Sequence, residues 1–319
     1  MVATVSEGLV TLTPSPALDR TYQVGELLLG EVNRALNVTE EFAGKGVNVS
    51  RNLALDEIVA PAVVPLSARD AAAIDPDPLL RLSDCSGRLR VNITAIDSSG
   101  ETTKINQSPS DLSEAEWGAL VDLAAEEVQK NSASWLLVAG SFPKVAGAQA
   151  PVEAISSRIG SVKVALDTSG SVFAEWARSG RVDFVKPNVK ELGEAVGREL
   201  ATLGEVQEAA REVASWGVSY VMVSMGADGF LGFASDEFWW ASCQPVEARN
   251  TIGAGDASVS GFFASLLREP DRVDLAVSNA ARWGGQKVQQ ATSQLQHLTN
   301  LPEVAITQSI DTSRPVTAD

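Results

Sequence analysis

One stretch of the chain sets a carboxylate at the mouth of a helix: Asn250-Thr251-Ile252-Gly253-Ala254-Gly255-Asp256. Behind it Val259, Phe262, Phe263, Leu266 and Leu267 fall at i, i+3, i+4, i+7 and i+8, one apolar helix face. Gly253 and Gly255 let the backbone approach a ligand closely. The free N–H groups and the positive end of the helix dipole then face an anion. A carboxylate beside an anion is electrostatically unfavourable, so Asp256 needs a purpose there. It would take a proton from an attacking hydroxyl while the loop amides stabilise charge on a transferred phosphoryl group. The plainer alternative is an N-cap after a tight turn, and the local sequence does not choose between the two.

Three other segments carry chemistry of the same kind. Phe42-Ala43-Gly44-Lys45-Gly46-Val47-Asn48 opens an expected helix over Val47–Leu55. It is not a Walker A loop, and taken alone it reads as a loop with an exposed lysine. Lys186-Pro187-Asn188-Val189-Lys190-Glu191 has Asn-x-x-Glu capping-box spacing. Asn188 and Glu191 could also hold water around magnesium, and a helix start after a strand suits both roles. Ser224-Met225-Gly226-Ala227-Asp228-Gly229 reads as a hairpin turn leading into Phe230–Ala234, or as the wall of a nucleotide pocket. Asp167-Thr168-Ser169-Gly170 is similar and weaker.

The elements that must position these segments change character along the chain. Leu9–Thr13, Asn33–Glu40 and Arg88–Ile96 read as strands, with Asp97-Ser98-Ser99-Gly100 turning into Thr102–Asn106. From about Ser113 strand and helix alternate. Glu114–Lys130, Pro151–Ile159, a stretch from Val189, and Val206–Trp216 are expected helices. Trp135–Ala139, Val162–Leu166, Val182–Lys186 and Tyr220–Ser224 are the strands between them. Such alternation predicts a parallel sheet with helices on both faces and ligands beyond the carboxyl ends of the strands.

Composition narrows the chemistry. The 319 residues hold 25 Lys plus Arg against 41 Asp plus Glu, a net charge of −16. That argues against nucleic acid and anionic membranes as partners. The single histidine, His297, makes a His-rich zinc site or a Ser-His-Asp triad a poor expectation and leaves a carboxylate as the favoured base. Cys85 and Cys243 fit no metal spacing and suggest a reducing compartment. With no signal-peptide pattern in Met1–Val10 and no membrane-length apolar run, a cytoplasmic location is the expectation.

In this order the segments resemble the phosphofructokinase B (PfkB) family of ribokinase-like carbohydrate kinases. Asp/Asn-Thr-x-Gly-Ala-Gly-Asp is matched at Asn250–Asp256, Gly-Lys-Gly-x-Asn at Gly44–Asn48 and Asn-x-x-Glu at Asn188–Glu191. Pro16-Ala17-Leu18-Asp19-Arg20-Thr21, Gly140-Ser141-x-Pro143, Leu166–Gly170 and Gly100-Glu101-Thr102-Thr103-x-Ile105-Asn106 look like the branch that phosphorylates sugar phosphates. The likeness runs from about Val10 to Gln290.

The resemblance implies a three-layer α/β/α sandwich with a mostly parallel central sheet and a small β-sheet lid. It implies one kinase domain over 1–319, with the lid inserted from roughly 16–42 and 88–108. The implied reaction is transfer of the ATP γ-phosphate, with Mg2+, to a hydroxyl of a ketohexose phosphate. The motifs look closest to the 1-phosphofructokinase and tagatose-6-phosphate kinase branches. Fructose 1-phosphate going to fructose 1,6-bisphosphate is the first expectation, with tagatose 6-phosphate or fructose 6-phosphate as alternatives. A non-catalytic regulator binding sugar phosphate and ATP, and a kinase of an uncharged sugar or nucleoside, are the other readings.

By the same resemblance Asp256 is the base, and Gly253, Ala254 and Gly255 form the anion hole. Asp19, Gly44, Asn48 and Asn106 lie with the sugar, and Lys45 and Arg90 hold its existing phosphate. Asn188, Ser224, Gly226, Gly229, Thr251 and Asn279 line the nucleotide site. Glu191 and Asp167 act on magnesium through water, and a homodimer through the lid is expected. Three departures stand out: Ser15 before Pro16, Ala43 for a second glycine, and an atypical 57–87 segment lacking the usual glycine-rich stretch.

Overall fold

The structure, a computed structural model, describes residues 7–149 and 152–316. In the first third of the chain the strands are β1 (Gly8–Leu12), β2 (Ala17–Gln23), β3 (Asn37–Ala43), β4 (Ala62–Pro65), β5 (Leu80–Ser83), β6 (Arg90–Ile96) and β7 (Thr102–Asn106). Then come β8 (Ala133–Ala139), the two-residue pair β9 (Lys144–Val145) and β10 (Ala148–Gln149), β11 (Lys163–Asp167), β12 (Phe184–Val185), β13 (Tyr220–Ser224), β14 (Phe230–Ala234), β15 (Glu237–Cys243) and β16 (Val304–Thr307). The helices are α1 (Lys45–Ala54), α2 (Ala68–Ala71), α3 (Glu114–Lys130), α4 (Val152–Ile159), α5 (Ser171–Arg178), α6 (Val189–Val196), α7 (Leu203–Ser215), α8 (Ala254–Leu266) and α9 (Val273–Val288).

Ten strands form one sheet in the order β16-β15-β14-β13-β12-β11-β8-β1-β4-β5. From β13 to β5 every pairing is parallel. The central strands are apolar on both faces, because helices cover both. In β8, Leu136 and Val138 point into the core under α3 and α7, while Trp135 and Leu137 point into the core under α1, α8 and α9. This is the expected three-layer α/β/α arrangement. The sheet is not parallel throughout, since β14, β15 and β16 run antiparallel at one edge. The hairpin reading of Ser224–Gly229 accounts for the first reversal, with Ser224 paired to Phe230.

A second sheet, β3-β2-β6-β7, stands apart from the first. Its β2 and β6 are parallel and its outer pairings antiparallel. The strand expected at Asn33–Glu40 lies instead at Asn37–Ala43. Asn33 is held in a loop, its side chain accepting from Leu28 N–H and donating to the Leu28 carbonyl. The sequence reading missed β2, whose charged and polar residues obscure the period-2 pattern.

The atypical 57–87 segment supplies β4, the short α2 and the edge strand β5. Ser67 caps α2, and the Asp70 carboxylate accepts the Leu89 N–H, tying the segment to the start of β6. Pro151, placed in an expected helix, lies outside the described residues, and α4 begins at Val152. No described helix is long and apolar enough to cross a membrane.

Candidate active site

The N-terminus of α8 is built by Gly253. Its φ of 81° is left-handed, and a Cβ there would lie 2.2 Å from the Ser293 carbonyl oxygen, so glycine is required. Gly253 is the N-cap, which removes the N-cap alternative for Asp256, the third residue of the helix. The Ala254 N–H turns back to the Thr251 carbonyl (3.2 Å). Gly253, Gly255 and Asp256 line the cleft, and Ala254 does not. The anion-hole expectation therefore narrows to the amides on either side of Ala254.

Asp256 is buried, 7% exposed, and its orientation is fixed by α1. Asn48 donates to Asp256 Oδ2 (2.7 Å), and one turn on Asn52 donates to Ser260 Oγ (3.2 Å). Residues four apart on each helix thus meet as pairs, so the two helix N-termini converge at the cleft. Burial is the main cause that pushes the Asp256 carboxyl up to about 6, with Asp167 adding to it. Lys45, Asn48 and Lys186 pull the other way. A carboxylate tuned upward toward neutrality is suited to general-base work.

Two ammonium groups flank this carboxyl. Lys45, the first residue of α1, donates to Asp167 Oδ1 at 3.0 Å, and Lys186 lies 3.6 Å from the same oxygen. Asp167, at the carboxyl end of β11, is almost fully buried. Burial alone would raise its carboxyl, but Lys186 and Lys45 outweigh that and lower it. For Lys45, burial alone would lower the ammonium, but Asp167 chiefly, then Asp256, overcome that and raise it. Lys186 Nζ lies 3.5 Å from where a Cβ on Gly255 would sit, so this second cation stands at the glycine turn.

The opposite wall comes from the small sheet. Asp19 on β2 accepts from Asn92 Nδ2 on β6 (2.9 Å), the residue directly across the strand pair. Burial is the largest influence on Asp19 and raises its carboxyl, against Asn92, Arg90 and Lys104. The Arg90 guanidinium reaches the carbonyls of Ser15 (3.2 Å), Pro16 (3.4 Å) and Gln107 (3.3 Å). Asp19, Gly44, Lys45, Asn48, Arg90, Gly253, Gly255 and Asp256 line one open cleft of about 300 Å³. Arg90 also borders a small neighbouring hollow of about 30 Å³ whose wall includes Pro65, Leu66 and Ser67 from the atypical segment.

The other expected residues lie elsewhere. Asn188 and Ser224 face each other as a bridge at the carboxyl ends of β12 and β13. Gly226 and Gly229 form the turn just beyond. Asn188 and Glu191 complete the capping box, with Glu191 Oε2 taking the Asn188 N–H (2.9 Å). Thr251 sits in the loop before α8, where its carbonyl serves Ala254. Asn279 is turned to Ser265 Oγ (2.7 Å) and fastens α9 to α8. Asn106 is exposed at the end of β7, paired across the strands with Asn92. Among the described residues no group of three or more His, Cys, Asp or Glu could hold a metal ion.

Sequence reasoning gave no role to Lys186, Glu41, Ser293 or Gln294, although all four stand at or beside the cleft. Lys186 could have been found, because it directly precedes the Pro-Asn of a quoted motif at a strand end. Glu41 and Ser293 carry no such signal. They meet only in three dimensions, Ser293 Oγ donating to Glu41 Oε2 (2.6 Å) between β3 and the segment after α9.

Residues 70–299 match the pfkB family carbohydrate kinase profile. The chain is 33% identical to a 1-phosphofructokinase of Haloferax volcanii, over 94% of this chain and 98% of that protein. It is 35% identical to a 1-phosphofructokinase of Rhodobacter capsulatus, over 84% and 86% of the two. Among solved structures, phosphofructokinase-2 from Escherichia coli in complex with potassium superposes with a TM-score of 0.80 at 25% identity, covering 92% of this chain and 96% of that one.

Proposed function

The chain belongs to the pfkB family of carbohydrate kinases, and from that premise we propose that it transfers the γ-phosphate of ATP to a hydroxyl of fructose 1-phosphate, giving fructose 1,6-bisphosphate. One observation carries the reading. Asp256, buried and held by Asn48, opens into the same cleft as Asp19 and Arg90. A general base, a hydroxyl acceptor and a phosphate-binding guanidinium thus share a space large enough for a sugar phosphate. The 1-phosphofructokinase relatives favour fructose 1-phosphate over fructose 6-phosphate and tagatose 6-phosphate.

The roles follow from position. Asp19 accepts hydrogen bonds from sugar hydroxyls, with Asn92 holding one carboxylate oxygen in place. Arg90 presents a fork to the phosphate already on the sugar, an arrangement stronger and more directional than a single ammonium. Asp256 removes the proton from the attacking hydroxyl, and the Gly253 and Gly255 side of the turn stabilises the transferred group. Lys186 stands at the Gly255 turn and both Lys45 and Lys186 act electrostatically on Asp256, so we assign both ammonium groups to the phosphoryl in transit. Asn188, Ser224, Gly226 and Gly229 form the nucleotide wall at the carboxyl edge of the sheet. Asn106 and Asn279 are given no direct contact.

Magnesium fits this site through water. Among the described residues Asp167 Oδ2 is buried without a hydrogen-bond partner, and Glu191, which acts on Lys45 electrostatically, uses Oε2 in the capping box. Glu191 suits a water-mediated role better than Asp167, whose Oδ1 is shared by two ammonium groups. Bound there with the nucleotide, the ion would neutralise phosphate charge.

The small sheet exposes Val38 and Ile105 with Leu29, Val32 and Leu36. A second copy of the chain covering this face as a lid-to-lid homodimer would remove both the apolar exposure and the open strand edges. The ATP requirement and the −16 charge suit a cytoplasmic enzyme acting on small molecules, with neither nucleic acid nor membrane as partner. A coupled assay of ADP release over fructose 1-phosphate, fructose 6-phosphate, tagatose 6-phosphate and free fructose tests the reading. The highest kcat/KM is expected with fructose 1-phosphate. Preference for free fructose would overturn the assignment of Arg90, and no ADP release with any of them would favour a binding protein.

A further inference from the structure

Lys287 lies in the last turn of α9 with no solvent exposure at all. Among the described residues its ammonium has no ion-pair partner, and it donates to a single backbone carbonyl, that of Asn250 (3.1 Å). A buried lysine without a carboxylate is expensive to maintain and calls for an explanation. Its surroundings supply one. Lys287 Cε is 3.5 Å from the point where a Cβ on Gly253 would sit, so the side chain runs directly behind the glycine turn.

The loop before α8 is sewn to this end of α9 at several points. The N–H groups of Arg249 (2.7 Å) and Asn250 (3.1 Å) both donate to the Val288 carbonyl. Asn250 Nδ2 donates to the Ala291 carbonyl (2.9 Å), and Asn250 Oδ1 accepts the Ile252 N–H (2.9 Å). Lys287 is the one charged group in this set of fastenings. A cation there draws the Asn250 carbonyl inward, and the chain from Asn250 to Gly253 follows it. It also adds positive potential behind a turn that must receive an anion.

We propose that Lys287 is a positioning residue for phosphoryl transfer, an internal cation that holds the 250–253 loop in place and so aims the amides of the anion hole. The proposal rests on the reading of the cleft as a phosphoryl-transfer site. Burial is the main influence on this ammonium and lowers it to about 8, while Asp256 on α8 and Glu41 on β3 act to keep it protonated. The other titratable groups beside α9 are engaged elsewhere: Cys243 on β15 donates to the Ala281 carbonyl, and His297 bonds Gln286. The cation is therefore present at neutral pH and is lost as pH rises through its titration.

The test compares wild-type protein with Lys287→Met, a neutral side chain of similar length, by amide hydrogen exchange and by steady-state kinetics. Exchange of the 251–255 amides is expected to quicken while that of α3 is unchanged. Turnover should fall by about 10²-fold, the cost of a small misplacement at a reacting centre, with KM for the sugar phosphate nearly constant. Should Lys287→Met fail to fold, the wild-type protein still decides: loop amides should lose relative protection as pH is raised past about 8. Unchanged loop exchange, in the variant or across that pH range, overturns the assignment whatever happens to turnover. The exchange measurement needs no catalysis, so a wild-type protein without kinase activity would sink the proposed function and leave this inference to be judged separately.

Discussion

Eleven of the thirteen residues of α8 are buried, Asp256 among them, whereas β6 has no fully buried residue and β7 is exposed throughout. The cleft is therefore bounded by two walls of opposite construction. The α8 wall stands on the large core, its helix clamped by Asn48–Asp256, Asn52–Ser260 and the aromatic packing of Phe262 and Phe263 against Phe184. The small-sheet wall presents Asp19 and Arg90 from strands with little packing behind them. A base that acts on one bond needs fixed geometry and low dielectric, which only a buried helix end provides. Groups that admit and release a substrate need access, and an open sheet provides that. The link between the walls within the described residues includes Ser293–Glu41.

If this division is right, damage to the buried wall should appear in turnover and damage to the open wall in substrate affinity. The largest effect is expected for Asp256→Asn. Its side-chain oxygen can still accept from Asn48, so binding geometry should survive while turnover falls by ~10²–10⁴-fold. The pH dependence has a definite sign. The carboxyl is ordinarily near 3.8 and is raised to about 6 in the folded chain, so wild-type turnover should climb as pH rises through that value and the base ionises. The folded state binds this proton more tightly than the unfolded one, so the ionised carboxylate weakens the fold above that range. Asp256→Asn should thus be no less stable than wild type at pH 8 by thermal unfolding. Wild-type turnover in the variant would end the assignment of the base.

The next effects belong to the open wall. Arg90→Ala should raise KM for the sugar phosphate by about 10- to 10²-fold, from ~1.5–3 kcal/mol for a lost charge-assisted bond, with little change in kcat. Lys45→Ala should differ, because Lys45 sits with Asp167 beside Asp256 and its removal leaves Asp167 to Lys186 alone. It should lower kcat as well as raise KM. A pure KM effect for Lys45 would move that lysine to the sugar-phosphate end and blur the boundary between the walls. Asp19→Asn, which keeps the bond to Asn92, should raise KM by roughly tenfold, near the cost of one substrate hydrogen bond.

The two walls were also unequally legible in the sequence. The buried wall could be read almost residue by residue, because helix ends, glycine turns and apolar spacing are local signals. Glu114–Lys130 is a helix with the limits expected, capped by Ser113 and Glu116, and Tyr220–Ser224 and Phe230–Ala234 are strands as expected. The small sheet was partly hidden. With both faces partly solvated, β2 has no hydrophobic period, and β3 was placed four residues early at its start because Asn33 belongs to a side-chain-bonded turn. Asp19 and Arg90 entered through resemblance rather than pattern. Lys287 could not be read at all: it follows Gln286 in an ordinary helical stretch, and only the fold shows that its ammonium ends behind Gly253.

The smallest effect lies at the far end of the buried wall and tests how far its rigidity extends. Asn188 accepts the Glu191 N–H at 2.7 Å as helix cap and faces Ser224 at the sheet edge proposed to take the nucleotide. Asn188→Ala removes the cap, which costs about 1 kcal/mol of stability, and leaves the Glu191 N–H without its side-chain acceptor, while the bond from the residue-188 N–H to Glu191 Oε2 can persist. Asn188→Asp keeps the cap acceptor but adds a charge near the nucleotide phosphates. If Asn188 is only a cap, the Asp variant should behave as wild type and the Ala variant should lose stability alone. If it also lines the nucleotide site, both should raise KM for ATP severalfold and leave KM for the sugar phosphate unchanged. The second pattern is expected, because α6 begins where β12 and β13 end, so a well-made helix start and the proposed nucleotide wall would occupy the same place.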